Sequence, residues 1–509
     1  MDATGIRNFI VAIFLVIISV LMGTYAAEDK DIPILMIAVF LGIIFMLFLG
    51  RRAWGAIYIF PPLIPYLPIG ILQMLPGGYL VAGSVLAYWV VMRVMGYVQF
   101  RWRALWILDI LTAVLLLYFV VSFANHPVAI NALGFDAEYV GGKEYVWAIL
   151  APIYYVALSS IPCTYEGLYK VLRWSFWLLL AASVFAVVLD MMGLAQSGDA
   201  GAAITKSRFS MFAGVGTLSF YVLFSKKSIP QVLASPKLLL GAFLCVVAVV
   251  ISGWREKLLV FCTSAMALFV IKRELIYMGV ISVLAYGMLL YLSHEKIVED
   301  HFPYGMQRTL SMVPGVKIKD DVRRETEHSS EWRKVMWRWA LDPRTGYIRD
   351  YVWGDGFGQS VAELNRYSTS LMRGTAIFGE QDDFARTGTW HNGPIMTIHR
   401  LGMVGLGIFT VIYLYGIFLV GRVCRAYRGT PMFLIAMVFL LDFYGEIAHF
   451  YISAGTIRRF LDVYIYLGLA KVLYCIGREE GLIIPMVSSS RYKPILISEQ
   501  ERRDLISQG

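Results

Sequence analysis

The side chains in this sequence best suited to chemistry stand at the edges of long apolar runs. Lys206-Ser207-Arg208 opens one run, Arg255 and Lys257 occupy the polar turn before another, and His391-Asn392 opens a third. Arg458-Arg459 stands near the start of the last run. A charge at membrane depth is costly, so such positions are functional candidates from the outset. Singly, each has an ordinary explanation: an arginine at a helix end reaches its head to lipid phosphates, and a histidine there can cap the helix. Together they describe something narrower. Planar guanidinium forks hold paired phosphate oxygens and stay charged at any relevant pH. A histidine, with an ordinary pKa of about 6.5, can take the proton of an alcohol as it attacks. Arginines on a departing diphosphate, with a histidine accepting a hydroxyl proton, make a glycosyl-transfer site that needs no metal and no other cofactor.

The elements that must position these residues are membrane helices. Of 509 residues, 58% are hydrophobic and only 16% charged, and mean hydropathy is +0.64. A soluble protein carries about 25% charged residues. Apolar runs at 9–27, 32–49, 54–75, 79–98, 105–123, 145–161, 174–193, 208–224, 238–252, 257–271, 275–292, 391–420, 431–450 and 456–476 can each cross roughly 30 Å of hydrocarbon as a helix. The expected fold is an all-α, polytopic transmembrane helical bundle of about fourteen spans. Alternate loops carry Arg51-Arg52, Arg93/Arg101/Arg103, Lys170/Arg173, Lys226-Lys227/Lys237, Lys272-Arg273 and Arg422/Arg425/Arg428, and the intervening short loops are poor in both residues. That alternation is the positive-inside pattern. It accounts for the net charge of +9, puts both termini in the cytoplasm, and gathers the candidate residues on the opposite face. The first run is read as a retained helix.

Helices thus occupy 1–292 and 391–476, a cytoplasmic tail follows at 477–509, and one large outer loop subdomain spans 293–390. The span containing 59–70 holds four prolines and must be kinked or partly re-entrant. Within the outer segment a helix is expected from Ser329 to Leu341, with Trp332, Val335, Met336, Trp339 and Ala340 on one face. Trp353-Gly354-Asp355-Gly356-Phe357-Gly358 reads as a turn. His399 lies about 12 Å along its helix from His391 and is expected to share a structural network with Asp442, Glu446 and His449 of the next span.

The string HNGPIMTIHRLGMVGLGIF at 391–409 resembles the signature of the O-antigen ligase and polymerase superfamily, a His-Asn start followed by a Leu-Gly-x-x-Gly step. Upstream, SSEWRKVMWRWALDP and GDGFG resemble that family's Arg/Trp helix and Gly-x-Gly turn. SGWREKLLVF resembles its Ser-x-x-Arg segment, and SRFSMFAGVG its arginine-containing helix start. The similarity covers roughly residues 200–420, and the Asn-Pro often found after the first arginine is missing. The resemblance implies a metal-independent glycosyltransferase of GT-C type in the bacterial inner membrane. Its donor would be a glycan on undecaprenyl pyrophosphate at the periplasmic face, and its acceptor a saccharide or a second lipid-linked glycan. Carried over, Arg208 and Arg255 would hold the pyrophosphate and His391 would activate the acceptor hydroxyl. Lys257, Asn392, Arg333 and Arg458 would complete the substrate-binding set. Ligase and polymerase differ only in acceptor, and the long outer loop tilts the expectation toward a polymerase.

Other classes fare worse. Basic residues are scattered among short loops, with no stripe for nucleic acid. The five cysteines avoid the outer loop, and no P-loop, zinc-protease pair or nucleophile elbow occurs. A lipid-linked oligosaccharide flippase could have as many spans, but a transporter calls for internal symmetry and polar residues near the bilayer midplane. The acidic stretch Glu28-Asp29-Lys30-Asp31 offers a rival, metal-dependent variant of the enzyme, in which a chelator would abolish transfer.

Overall fold

Apolar runs fold as helices in lipid because each backbone N–H must find a carbonyl within its own segment. The computed structural model describes residues 105–128, 139–140, 142–160, 163–191, 212–360, 390–453 and 460–483. Among these, five stretches are long and apolar enough to cross a membrane: Trp106–Asn125, Tyr165–Phe185, Leu275–His294, Gly393–Ala426 and Met432–Ile452. The helices before the segment expected to be the outer loop are α1 (Trp106–Asn125), α2 (Gly142–Ser160), α3 (Tyr165–Met191), α4 (Phe212–Lys226), α5 (Ile229–Leu233), α6 (Pro236–Ile251), α7 (Arg255–Lys272) and α8 (Leu275–His294). The outer segment contributes α9 (Ile297–His301), α10 (Tyr304–Leu310) and α11 (Asp320–Leu341). After it come α12 (Gly393–Ala426), α13 (Met432–Leu440), α14 (Asp442–Ile452) and α15 (Phe460–Glu479). A two-residue antiparallel pairing joins β1 (Tyr139–Val140) to β2 (Gln359–Ser360).

From residue 105 onward, the described residues of each expected apolar run fall largely in helix. The runs before it, including the proline-rich one, lie outside the described residues. Two boundaries differ. α3 begins at Tyr165, ahead of its apolar stretch, where the Thr164 hydroxyl accepts the Gly167 N–H at 3.1 Å. The run at 431–450 is two helices meeting at Leu441.

The chain divides into two compact units. One comprises 1–104, 153–182 and 471–509; in it the buried Lys471 ammonium lies 4.7 Å from the centre of the Tyr155 ring. The ring's negative face offsets part of the cost of enclosing that charge. The other unit, 105–152 with 183–470, contains the remaining features described below.

Close approach of small residues holds that second unit together, as lipid leaves packing to do most of the work. A Cβ on Gly216 of α4 would stand 2.7 Å from the Cys245 carbonyl of α6. One on Gly445 of α14 would stand 2.4 Å from Val260 of α7. In the outer segment, Val298, Leu310, Ile318 and Val322 close over Val250 at the end of α6. α11 starts about two and a half turns earlier than the apolar spacing suggests, and buries Met336 and Ala340 against Tyr347, Ile348, Trp390 and Ile395. Trp332 and Trp339 pack on the same cluster, whereas Val335, about 100° round the helix from Met336, stays exposed.

α12 is broken. At Gly402 the backbone takes φ 65° and ψ −175°, a conformation essentially reserved for glycine. The turn at 351–356 fills the gap from outside the helix. Asp355 N–H donates to the His399 carbonyl at 2.8 Å and Gly356 N–H to that of Arg400 at 3.0 Å. Beyond the break, Met403 and Val404 N–H donate to the carbonyls of Tyr351 and Val352, at 2.8 and 3.2 Å. Tyr118 of α1 donates to the Leu401 carbonyl at 2.6 Å. Irregular backbone at membrane depth survives only where such partners satisfy it.

Candidate functional site

α6 ends, α7 and α12 begin, and α14 ends around one cavity of about 410 Å³. The turn into α7 supplies Trp254, Arg255 and Glu256. It reverses through Gly253 at φ 72°, and the Ser252 hydroxyl donates to the Val249 carbonyl at 2.7 Å. From the outer segment, α10 contributes Arg308 while α11 contributes Arg333, Lys334 and Trp337. His391 closes one wall, and Ile452 with Ser453 closes another.

The string His-Asn-Gly-Pro can be followed residue by residue. His391 sits at φ 47°, in the left-handed region that histidine enters more readily than most residues. Asn392 caps α12, its side-chain oxygen accepting the Ile395 N–H at 3.0 Å. Gly393 is pressed against Phe450 of α14, where a Cβ would lie 2.4 Å from the ring. Pro394 fits the first turn, where no N–H is required. Trp337 fixes the preceding residue by donating from Nε1 to the Trp390 carbonyl at 2.7 Å, and Trp332 meets the His391 imidazole edge-on at 6.3 Å.

Electrostatics follow from this crowding. Burial pushes the His391 pKa down, and Arg333 and His449 push the same way, while Glu256 opposes them. The neutral imidazole, the form that can accept a proton, is thereby favoured. Burial also lowers Arg333, against Glu256, but a guanidinium stays charged at working pH. Arg308 lies 3.4 Å from Glu325. Glu256 itself is held by His449 of α14, with Oε2 and Nε2 3.2 Å apart.

Of the residues singled out in the sequence, Arg255, Arg333 and His391 line this one cavity. Lys257 is not among its lining residues, and the side-chain oxygen of Asn392 caps α12. Arg208, Arg458 and the acidic stretch at 28–31 lie outside the described residues. Glu256, Arg308 and Lys334 were not singled out, although two of them adjoin residues that were.

The network expected around His399 is corrected. His399 lies 3.8 Å from Asp355 of the docked turn and 4.6 Å from the Tyr347 ring. Two of its three expected partners are engaged elsewhere, His449 with Glu256 and Asp442 with the Tyr221 hydroxyl at 3.1 Å. The break at Gly402 is the cause, since it brings the 351–356 turn, and not α14, against His399. The neighbouring Arg400 is also buried, 3.6 Å from Glu144 and donating to the Phe357 carbonyl at 2.6 Å.

No model of a known protein family matches the chain, and no curated protein shows significant similarity to it. Function has to be read from the cavity.

Proposed function

We propose that the protein is a membrane glycosyltransferase that moves a glycan from an undecaprenyl-pyrophosphate carrier to a saccharide acceptor, as a polysaccharide polymerase or an O-antigen ligase. One observation carries the reading: Arg255, Arg333 and His391, far apart in sequence, line the same cavity. The arginines hold the diphosphate in two-pronged contacts, and the first turns of α7 and α12 add their partial positive charge. A volume of about 410 Å³ falls in the range of small-molecule sites, roughly 300–1,000 Å³. That holds a diphosphate and the adjoining sugars, leaving the polyprenyl chain to lipid.

His391 takes the proton of the acceptor hydroxyl as its oxygen bonds to the anomeric carbon of the donor sugar. The bond from that carbon to the phosphate oxygen breaks, and the pair of electrons leaves with the diphosphate, whose charge the arginines already meet. The basic termini support an outward-facing site. Lys272 at the far end of α7 donates to the Phe224 carbonyl and lies 3.3 Å from Glu274, in the loop set that positive-inside counting assigns to the cytoplasm. The cavity, at the opposite end of α7, then faces the periplasm, in an inner-membrane protein of about fourteen spans with a periplasmic loop subdomain.

Purified protein in detergent, given an undecaprenyl-pyrophosphate-linked glycan and acceptor, is expected to transfer the glycan; a flippase needs two compartments and would not. His391→Ala should lose turnover while still binding undecaprenyl pyrophosphate. Arg255→Ala should weaken that binding by roughly 10- to 100-fold, the worth of a charge-assisted hydrogen bond. Turnover by the His391→Ala protein would refute the assigned base.

A further inference from the structure

We infer that Glu256, clamped by His449, is a positioning residue that enables His391 to accept a proton among cations while working against donor binding. The inference rests on the glycosyl-transfer reading and goes beyond it by giving the cavity's carboxylate a task.

Arg255, Arg308, Arg333 and Lys334 line the cavity, and among the described lining residues Glu256 is the sole carboxylate facing them. Each cation helps to hold an anionic donor, yet each also resists the charge that His391 must acquire when it takes the hydroxyl proton. Arg333 and His449 disfavour the imidazolium, and Glu256 is the group that favours it. A glutamate with three rotatable bonds would swing toward the nearest guanidinium unless something held it. His449, buried on α14, does so through the 3.2 Å contact to Oε2. A carboxylate oxygen accepts, so His449 donates from Nε2. The same α14 turn seats Phe450 against Gly393, two residues after His391. The clamp and the base therefore share one wall.

The two effects of Glu256 have opposite signs, which a merely structural residue would not produce. Glu256→Gln should bind radiolabelled undecaprenyl pyrophosphate as tightly as wild type, or a few-fold tighter. Its turnover should fall by roughly three- to ten-fold, the most that a shift of half a unit to one unit in the base can pass to the rate. Diethyl pyrocarbonate acylates only neutral imidazole, so labelling of the His391 peptide across pH, read by mass spectrometry, reports its titration without any assay of transfer. The labelling midpoint should move down by roughly half a unit to one unit in Glu256→Gln. Glu256→Asp should move back toward wild type. An unchanged midpoint in Glu256→Gln, or loss of lipid binding and turnover together, overturns the inference while wild-type transfer leaves the proposed function standing. Absence of transfer by wild type removes the function, and the labelling midpoint then still decides whether Glu256 governs His391.

Discussion

Replacing Gly402 with alanine tests whether the broken helix is built as described. A Cβ there would lie 2.1 Å from the Val352 carbonyl oxygen and 2.6 Å from the Trp353 nitrogen, both backbone atoms with no side-chain freedom to retreat. Keeping the turn in place would cost about 1–3 kcal/mol for the φ/ψ alone, before that overlap is relieved. Releasing it gives up the bonds from Asp355, Gly356, Met403 and Val404. The last two can re-form inside a straightened helix, so the net loss is two bonds at roughly 1 kcal/mol each. Release is the cheaper course, and Gly402→Ala should destabilise the protein by about 2 kcal/mol. Titration with denaturing detergent, followed by tryptophan fluorescence, measures this. Gly354→Ala attacks the same junction from the other side, with φ at 82° and a Cβ 2.4 Å from the Gly402 nitrogen. Two substitutions that break one contact cannot each break it again, so the double variant should cost about as much as either single one. A Gly402→Ala cost below about 1 kcal/mol, or full additivity of the pair, would refute the docked turn.

Two further outcomes are expected. Because His391 holds its proton less readily in the folded protein than its ordinary value of about 6.5, the unfolded chain binds more protons below that pH. Its contribution to stability is complete above about pH 6.5 and is lost as pH falls toward the lowered folded value; wild type should therefore lose more thermal stability than His391→Gln between pH 7.5 and 5, and parallel curves would remove the effect. Glu144→Ala should cost on the order of 3–5 kcal/mol in the detergent titration by stranding the buried Arg400, and adding Arg400→Met should recover most of that loss.

The helices, and the nearness of Arg255 and His391, could be read in the sequence for a common reason; Arg208, expected beside them, lies outside the described residues, and Arg333 was pointed to by the family resemblance alone. Apolar runs of membrane length have few alternatives to helix, and charge alternation across loops sorts their ends by face. The helix opening at α12 was legible from its Pro394, and Asn392 supplies the cap that the sequence alone suggested for His391. Gly402 was not legible as a break. Glycine in a membrane helix ordinarily signals close packing, and only the arrival of residues 351–356 distinguishes the two uses. The misplaced His399 network has the same origin, since a straight helix was assumed through a position where the chain turns. Glu256 escaped notice because its importance lies in being one carboxylate among four cations gathered from three segments.

The docked turn also bears on how the chain is made. In the proposed topology, residues 351–356, which leave the ribosome before 393–404, are already across the bilayer when α12 enters it. A helix with a missing step would otherwise be a poor passenger for the insertion machinery. Here the patch for its gap is waiting on the far side, and α12 need never linger in lipid with bare amides.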